Sequence, residues 1–241
     1  MLQTIVRKPR TAEDIAQGAR LARISKRDIG PGDVAAVLNT AKVKYVLVGA
    51  HAANGYTSAP RNTLDVDILA RHPKQACAVL TKAFPDLTAQ DTPVVVRFKR
   101  ADGDVAIDVM KPGAPPLWRE LIKIAKPVRI DGELIPIPPV EGVLAAKLAA
   151  MTSPARLIEK KMFDGGDFIA IVKANPKLDM QFLERLGDLV YPGGGKEILK
   201  LVADAKAGKR LEFSREHRRA PPDPRVREPA GRCSAAGRHR G

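Results

Sequence analysis

Three acids stand out by their surroundings. Asp65 and Asp67 lie in Leu64-Asp65-Val66-Asp67-Ile68-Leu69, and Asp108 lies in Val105-Ala106-Ile107-Asp108-Val109-Met110. Both runs read as strands, where residues two apart share a face. Asp65 and Asp67 therefore project together, while Val66 and Ile68 point the other way. Asp108 falls on the face of its own run opposite Ile107 and Val109. Ionised carboxylates at such spacing repel, and burying one unpaired is expensive. A divalent cation is the usual remedy. Three acids with open coordination positions suit Mg²⁺, a hard ion that takes oxygen ligands and substrate phosphates.

The chemistry of such a site is in-line phosphoryl or nucleotidyl transfer. Two metal ions roughly 4 Å apart then clamp the attacking and leaving oxygens. Asp65 and Asp67 would hold two Mg²⁺ ions and, through them, a triphosphate. Asp108 would bridge to the ion beside the acceptor hydroxyl and help remove its proton. The condition is that the strand of Asp108 pairs beside that of Asp65 and Asp67.

The elements that must position these acids are legible around them. Thr11-Ala12-Glu13-Asp14 opens one helix, and Pro31-Gly32-Asp33 opens a second through Val34, Val37 and Leu38. Tyr45 to Gly49 is a buried strand, followed by a short helix or turn to Tyr56 and a loop over Ser58 to Asn62. After the strand Leu64 to Ala70 comes a helix from Pro73 to Phe84. Pro93 to Phe98 and Val105 to Met110 make a hairpin around Asp102-Gly103. Lys126 to Ile130 and Leu134 to Ile137 make another around Asp131-Gly132. From Pro139 the pattern is helical: Val140–Met151, Pro154–Ala174, Lys177–Leu189 and Lys196–Lys206. The expectation is an α+β fold, with a small mixed sheet flanked by helices and then a C-terminal helical region. The divisions are N-terminal helices over 1–42, a catalytic core over 43–138, the helical region over 139–207 and a disordered basic tail over 208–241.

Composition supports a folded chain with an aliphatic core, since 44% of the 241 residues are hydrophobic and 4% aromatic. No apolar run approaches the roughly 18 residues of a membrane span, and Met1 to Arg10 lacks the apolar stretch of a secretory signal. The expectation is a cytoplasmic protein with no membrane partner. Cys77 and Cys233 stand at no metal-ligand spacing. Net charge is +14. Ala205 to Gly241 has eleven Lys or Arg against four Asp or Glu, a net +7 and half of the total. Such a balance favours polyanionic partners, nucleic acid or nucleotide phosphates. The tail is too poor in aliphatic residues to offset its ordering entropy.

The segment Val48-Gly49-Ala50, then Pro60-Arg61-Asn62-Thr63-Leu64-Asp65-Val66-Asp67, resembles the polymerase-beta-like nucleotidyltransferase superfamily. The form Arg-x-Thr-x-Asp-x-Asp is similar to its bacterial minimal and abortive-infection toxin-type members. The helix from Pro138-Pro139-Val140 through Lys147, and the stretch Lys160-Lys161-Met162-Phe163-Asp164-Gly165-Gly166-Asp167, resemble the family's following helices. The resemblance covers about residues 30 to 175. It implies transfer of an NMP from an NTP to an acceptor hydroxyl on RNA, protein or a small molecule, with a cognate antitoxin as a further partner. It also implies that Lys147 contacts the nucleotide or its phosphates. Asp164 and Asp167 read instead as structural acids that pair with Lys147 or Arg156.

Other residues are read on their own terms. Gly49 and Ala50 would bring backbone N–H groups to a phosphate, and Arg61 could grip the triphosphate. Ala50 stands where the family usually has Gly or Ser, so a hydroxyl is lost. That departure motivates the alternative, a catalytically degenerate fold that binds nucleotide, RNA or protein. His51 reads as a packed or capping residue. Gly193-Gly194-Gly195-Lys196 lacks the spacing of a phosphate loop and reads as the opening of a helix. The basic tail raises a third possibility, plain nucleic-acid binding.

Overall fold

A computed structural model describes residues 11–21, 29–113 and 115–212. The remainder of the basic tail expected beyond residue 208 lies outside the described residues. Helix α1 (Ala12–Leu21) begins at a reciprocal pair. The backbone N–H of Asp14 donates to Thr11 Oγ1 at 3.1 Å, and the N–H of Thr11 donates to Asp14 Oδ2 at 2.8 Å. Helix α2 (Pro31–Thr40) follows, with Pro31 in its first turn and the Asp33 carboxylate accepting from the Gly30 N–H at 2.7 Å.

The sheet comes next. Strand β1 (Tyr45–Leu47) leads into the short helix α3 (Gly49–Asn54), then β2 (Val66–Ala70) and α4 (Pro73–Ala83). Strands β3 (Thr88–Asp91), β4 (Val95–Lys99) and β5 (Val105–Met110) complete a five-stranded sheet in the order β1-β2-β5-β4-β3. Its pairs are antiparallel except β2 with β5, which run parallel. The parallel register sets Asp67 opposite Asp108 and Val66 opposite Ile107. Helix α5 (Leu117–Ile124) then connects to a two-stranded sheet of β6 (Lys126–Ile130) and β7 (Glu133–Ile137). Helices α6 (Val140–Thr152), α7 (Ile158–Ala174), α8 (Met180–Asp188) and α9 (Gly194–Lys206) close the described chain. The fold is α+β, a mixed sheet flanked by helices and followed by helices.

Two of these elements have no counterpart in the sequence reading. Strand β3 is exposed at every position and carries no apolar alternation, so it forms only because β4 offers an edge to pair with. Helix α5 does carry a signal. Leu117 and Leu121, four apart, are fully buried, with Trp118, Ile122 and Ile124 packed beside them. Each such leucine contributes about 1.5–3 kcal/mol by burial.

One apolar core runs from Ile15 to Ala205 and joins residues on both sides of position 138. Val66, Ile68, Ile107 and Val109 are fully buried in it. Their burial fixes the register, because a slip of one residue would bury Asp67 and Asp108 in their place. The apolar face of β2 and β5 therefore presents the acids on the other face. At the chain's far end, Gly193 opens α9 with φ of 87°. A Cβ at Gly194 would fall 2.3 Å from the Gly187 carbonyl oxygen. That glycine run exists for close packing of α9 on α8.

Candidate active site

Asp67 sits on β2 and Asp108 directly beside it on β5, while Asp65 lies one residue before β2 begins. One carboxylate oxygen from each lies within 4.8 Å of the others. The condition set by the sequence is met: the two strands pair, and the three acids converge. Asp65 is steadied by Thr63, whose hydroxyl donates to Oδ1 at 2.5 Å.

The turn between β1 and α3 forms the wall against Asp67. The N–H of Val48 donates to the Asp67 carbonyl at 3.0 Å. Gly49 has φ of 65°, and a Cβ there would lie 1.8 Å from Asp67 Oδ2. Glycine at 49 is thus demanded by the carboxylate itself, before any phosphate is considered. A left-handed backbone strains other residues, and a methyl would occupy the space of the acid. Ala50 and His51, both buried, follow on α3. The buried Asn54 at the end of α3 grips the loop that leads to the acids. It donates to the Arg61 carbonyl at 2.7 Å and accepts from the Arg61 N–H at 3.1 Å.

Charge at the three acids is poorly matched. Burial, then the neighbouring charges of Asp65 and Asp108, push the Asp67 carboxyl well above the ordinary carboxylate range. Burial pushes Asp108 up to about 6, with Arg97 opposing the rise and Asp65 adding to it. Arg97, opposite Asp108 on β4, approaches it only to 3.8 Å. The buried Oδ1 of Asp108 accepts no hydrogen bond.

A second charged group borders the first and is fully paired. Lys147 on α6 is buried, and its ammonium donates to Asp164 at 2.9 Å and Asp167 at 2.6 Å, both on α7. Arg156 reaches the other oxygen of Asp164 at 2.5 Å. Arg61 takes Asp167 in a two-pronged grip at 2.9 and 3.1 Å and lies 5.7 Å from the centre of the Phe163 ring. Burial alone would raise Asp167, but Lys147 and Arg61 hold it below its ordinary value. Lys147 and Arg61 both line the cleft, with their charge already committed to α7. Arg61 and Asp167 are 106 residues apart, and no local pattern announces that pair.

The cleft has a volume of about 1820 Å³ and is lined by Gly49, Ala50, Arg61 and Lys147 together with the three acids. It can hold divalent cations against the acids and a nucleotide beside them. Among the described residues, no helix is long and apolar enough to cross a membrane.

Comparison with solved structures returns related courses of the chain at low identity. An antigenic nucleotidyltransferase-like protein from Paracoccidioides brasiliensis is 18% identical, with 83% of this chain and 95% of that chain covered, at a TM-score of 0.42. JHP933 from Helicobacter pylori is 18% identical over 73% of this chain and 87% of that one, at 0.43. The antibiotic-resistance factor ANT(2'')-Ia is 11% identical over 73% and 95%, at 0.44. Neither the protein-family models nor the curated proteins yield a match to this sequence. At these scores the likeness is descriptive, and function rests on the site's own residues.

Proposed function

We propose that this chain is a metal-dependent nucleotidyltransferase that moves an NMP from an NTP to an acceptor hydroxyl. The observation that carries the reading is the meeting of Asp65, Asp67 and Asp108 with too little positive charge to balance them. The donor set fits a hard divalent ion: all three ligands are carboxylates, and a buried oxygen of Asp108 accepts no hydrogen bond among the described residues. Asp65, Asp67 and Asp108 would hold Mg²⁺, two ions by analogy with sites of this composition. The bound metal supplies Lewis-acid stabilisation of the charge on the reacting phosphates.

The protein's own groups do the rest. The Gly49–Ala50 turn lets a phosphate approach the backbone. The acceptor oxygen attacks the α-phosphorus, the bond to the bridging oxygen breaks, and pyrophosphate leaves with its electron pair. Asp108, placed beside Asp67 on the neighbouring strand, would take the hydroxyl proton by its position at the acceptor side of the acids. Arg61 and Lys147 act on the nucleotide from the cleft wall, sharing charge already engaged by Asp167 and Asp164. The resemblance to abortive-infection members adds a cognate antitoxin to the partners to be sought.

The test is transfer of label from α-³²P NTPs to components of a cell extract. The wild-type chain should label an acceptor in the presence of Mg²⁺, and Asp65→Asn should not. Equal labelling by both would overturn the reading. Nucleotide binding that ignores Mg²⁺, with no turnover, would favour the degenerate alternative suggested by Ala50.

A further inference from the structure

The cleft is larger than its expected nucleotide. Small-molecule pockets occupy roughly 300–1,000 Å³, against about 1820 Å³ here. The surplus space has a distinct lining. At the start of α7, Leu157, Ile158, Met162 and Phe163 stand 69%, 68%, 73% and 57% exposed along the cleft. Contiguous apolar exposure of this kind marks a binding surface.

Cations are interleaved with these residues. Lys160 and Lys161 on α7, and Lys209 and Arg210 just after α9, also line the cleft. Their side chains form no ion pair with another described residue. The deeper cations differ: Lys147, Arg156 and Arg61 are all committed to Asp164 or Asp167. The rim therefore carries positive charge not consumed by ion pairs with other described residues, with Lys160 also acting at a distance on Asp108, and an outside anion could meet it. The sequence after it continues in the same sign, with eight Arg against three Asp or Glu over residues 213–241.

We infer that this rim seats the acceptor, and that the acceptor is a single-stranded nucleic acid. The inference rests on the nucleotidyltransferase reading for its chemistry, though the binding it describes is measurable without turnover. Phosphates would meet Lys160, Lys161, Lys209 and Arg210. Unpaired bases would stack on Phe163, an exposed residue that also contacts Arg61. A duplex would bury its bases and leave the apolar patch uncovered. A cationic small acceptor would be repelled by the same rim.

The experiment uses the full chain and fluorescein-labelled 15-mers of single-stranded RNA and DNA, followed by anisotropy from low to moderate salt. Lys160→Ala/Lys161→Ala should weaken binding about tenfold or more at low salt and flatten the plot of log K against log salt by about 1.4, two lost contacts on a single strand. The pair Lys74→Ala/Lys82→Ala on α4, away from the cleft, serves as a control for net charge and should change little. Phe163→Leu should weaken binding about fivefold with the salt slope intact, and Phe163→Tyr should restore it. Melting temperatures confirm that each variant is folded.

Preference for RNA or for DNA identifies the sugar of the acceptor and supports the inference either way. Equal losses in the α4 and α7 pairs, or no loss in the α7 pair, would overturn it. So would transfer of label to a protein or small-molecule fraction alone. The Mg²⁺-dependent thermal shift with NTP reports the catalytic reading separately. Its absence in the wild type would sink that reading while leaving the nucleic-acid site standing.

Discussion

Two groups of buried charge lie side by side in this cleft, and they are built on opposite principles. Around Asp164 and Asp167, three cations face two acids, and every carboxylate oxygen has a partner. Around Asp65, Asp67 and Asp108, the three acids have one ion pair among the described residues, with Arg97 at 3.8 Å, while Lys147, Arg156 and Lys160 act only from a distance. The first group holds an acid below its ordinary titration range, and the second pushes two acids above theirs. A matched cluster serves the fold. An unmatched one persists against its own repulsion because something from outside completes it.

The sharpest way to break this contrast is to neutralise one acid in each group. Asp67→Asn should lower transfer activity by roughly 10³-fold, as expected when several kcal/mol of metal-borne stabilisation is lost. It should leave the metal-free protein as stable as the wild type or more so, since repulsion is relieved. Asp167→Asn should do the reverse, costing stability while leaving measurable turnover. Paired activity assays and urea unfolding check both; matching profiles for the two variants would erase the distinction.

Lys147→Met tests the matched group from its other side. Leaving Asp164 and Asp167 without that ammonium should cost about 3–5 kcal/mol in urea unfolding. A loss below about 1 kcal/mol would mean that the pairs of Lys147 with Asp164 and Asp167 add little to the fold, and would erase the contrast. Gly49→Ala comes next, at roughly 2–4 kcal/mol from the left-handed backbone and the overlap with Asp67 together. Calorimetry should show weakened Mg²⁺ binding in the same variant, because Asp67 must move.

Acidity separates the groups more gently. Asp108 titrates near 6 in the folded chain, above the ordinary 3.8, so folding holds its proton more tightly than the unfolded chain does. Its contribution to stability is present below about pH 4 and lost as pH rises through about 6. For the metal-free protein the loss should be on the order of 2 kcal/mol between pH 4 and 8. Asp167, held low, works the other way: its contribution is present above the ordinary carboxylate range and is lost as pH falls through its depressed value. Thermal melts of Asp108→Asn should lack the fall toward neutral pH, and those of Asp167→Asn should lack the corresponding loss in acid. Saturating Mg²⁺ should cancel the first effect and spare the second.

Much of the unmatched group is legible in the sequence because its cause is local. A strand period places Asp65 and Asp67 on one side, and an acid among Val105, Ile107 and Val109 demands an explanation. The matched group is legible in part: pairing of Asp164 and Asp167 with Lys147 or Arg156 follows from the sequence and is found, whereas the Arg61 partner of Asp167, from a distant loop, does not. Arg61 meets Asp167 only once α7 is folded against the loop after α3, and Lys147 needs both α6 and α7. The turn at Gly49 is half-legible. Its small size is visible in the sequence, but the oxygen of Asp67 that requires it is not. Strand β3 has no internal pattern at all and borrows its conformation from β4, whereas α5 shows in the spacing of Leu117 and Leu121.

The parallel pairing of β2 with β5 has one more effect. Asp67 and Asp108 are neighbours across a ladder, yet a helix and two further strands intervene along the chain. Nothing in the ladder restrains how long that excursion must be. The loops that join α4, β3 and β4 could change length while the two carboxylates stay fixed. Kinship among proteins built this way is then better sought by superposing a handful of oxygens than by counting residues between them.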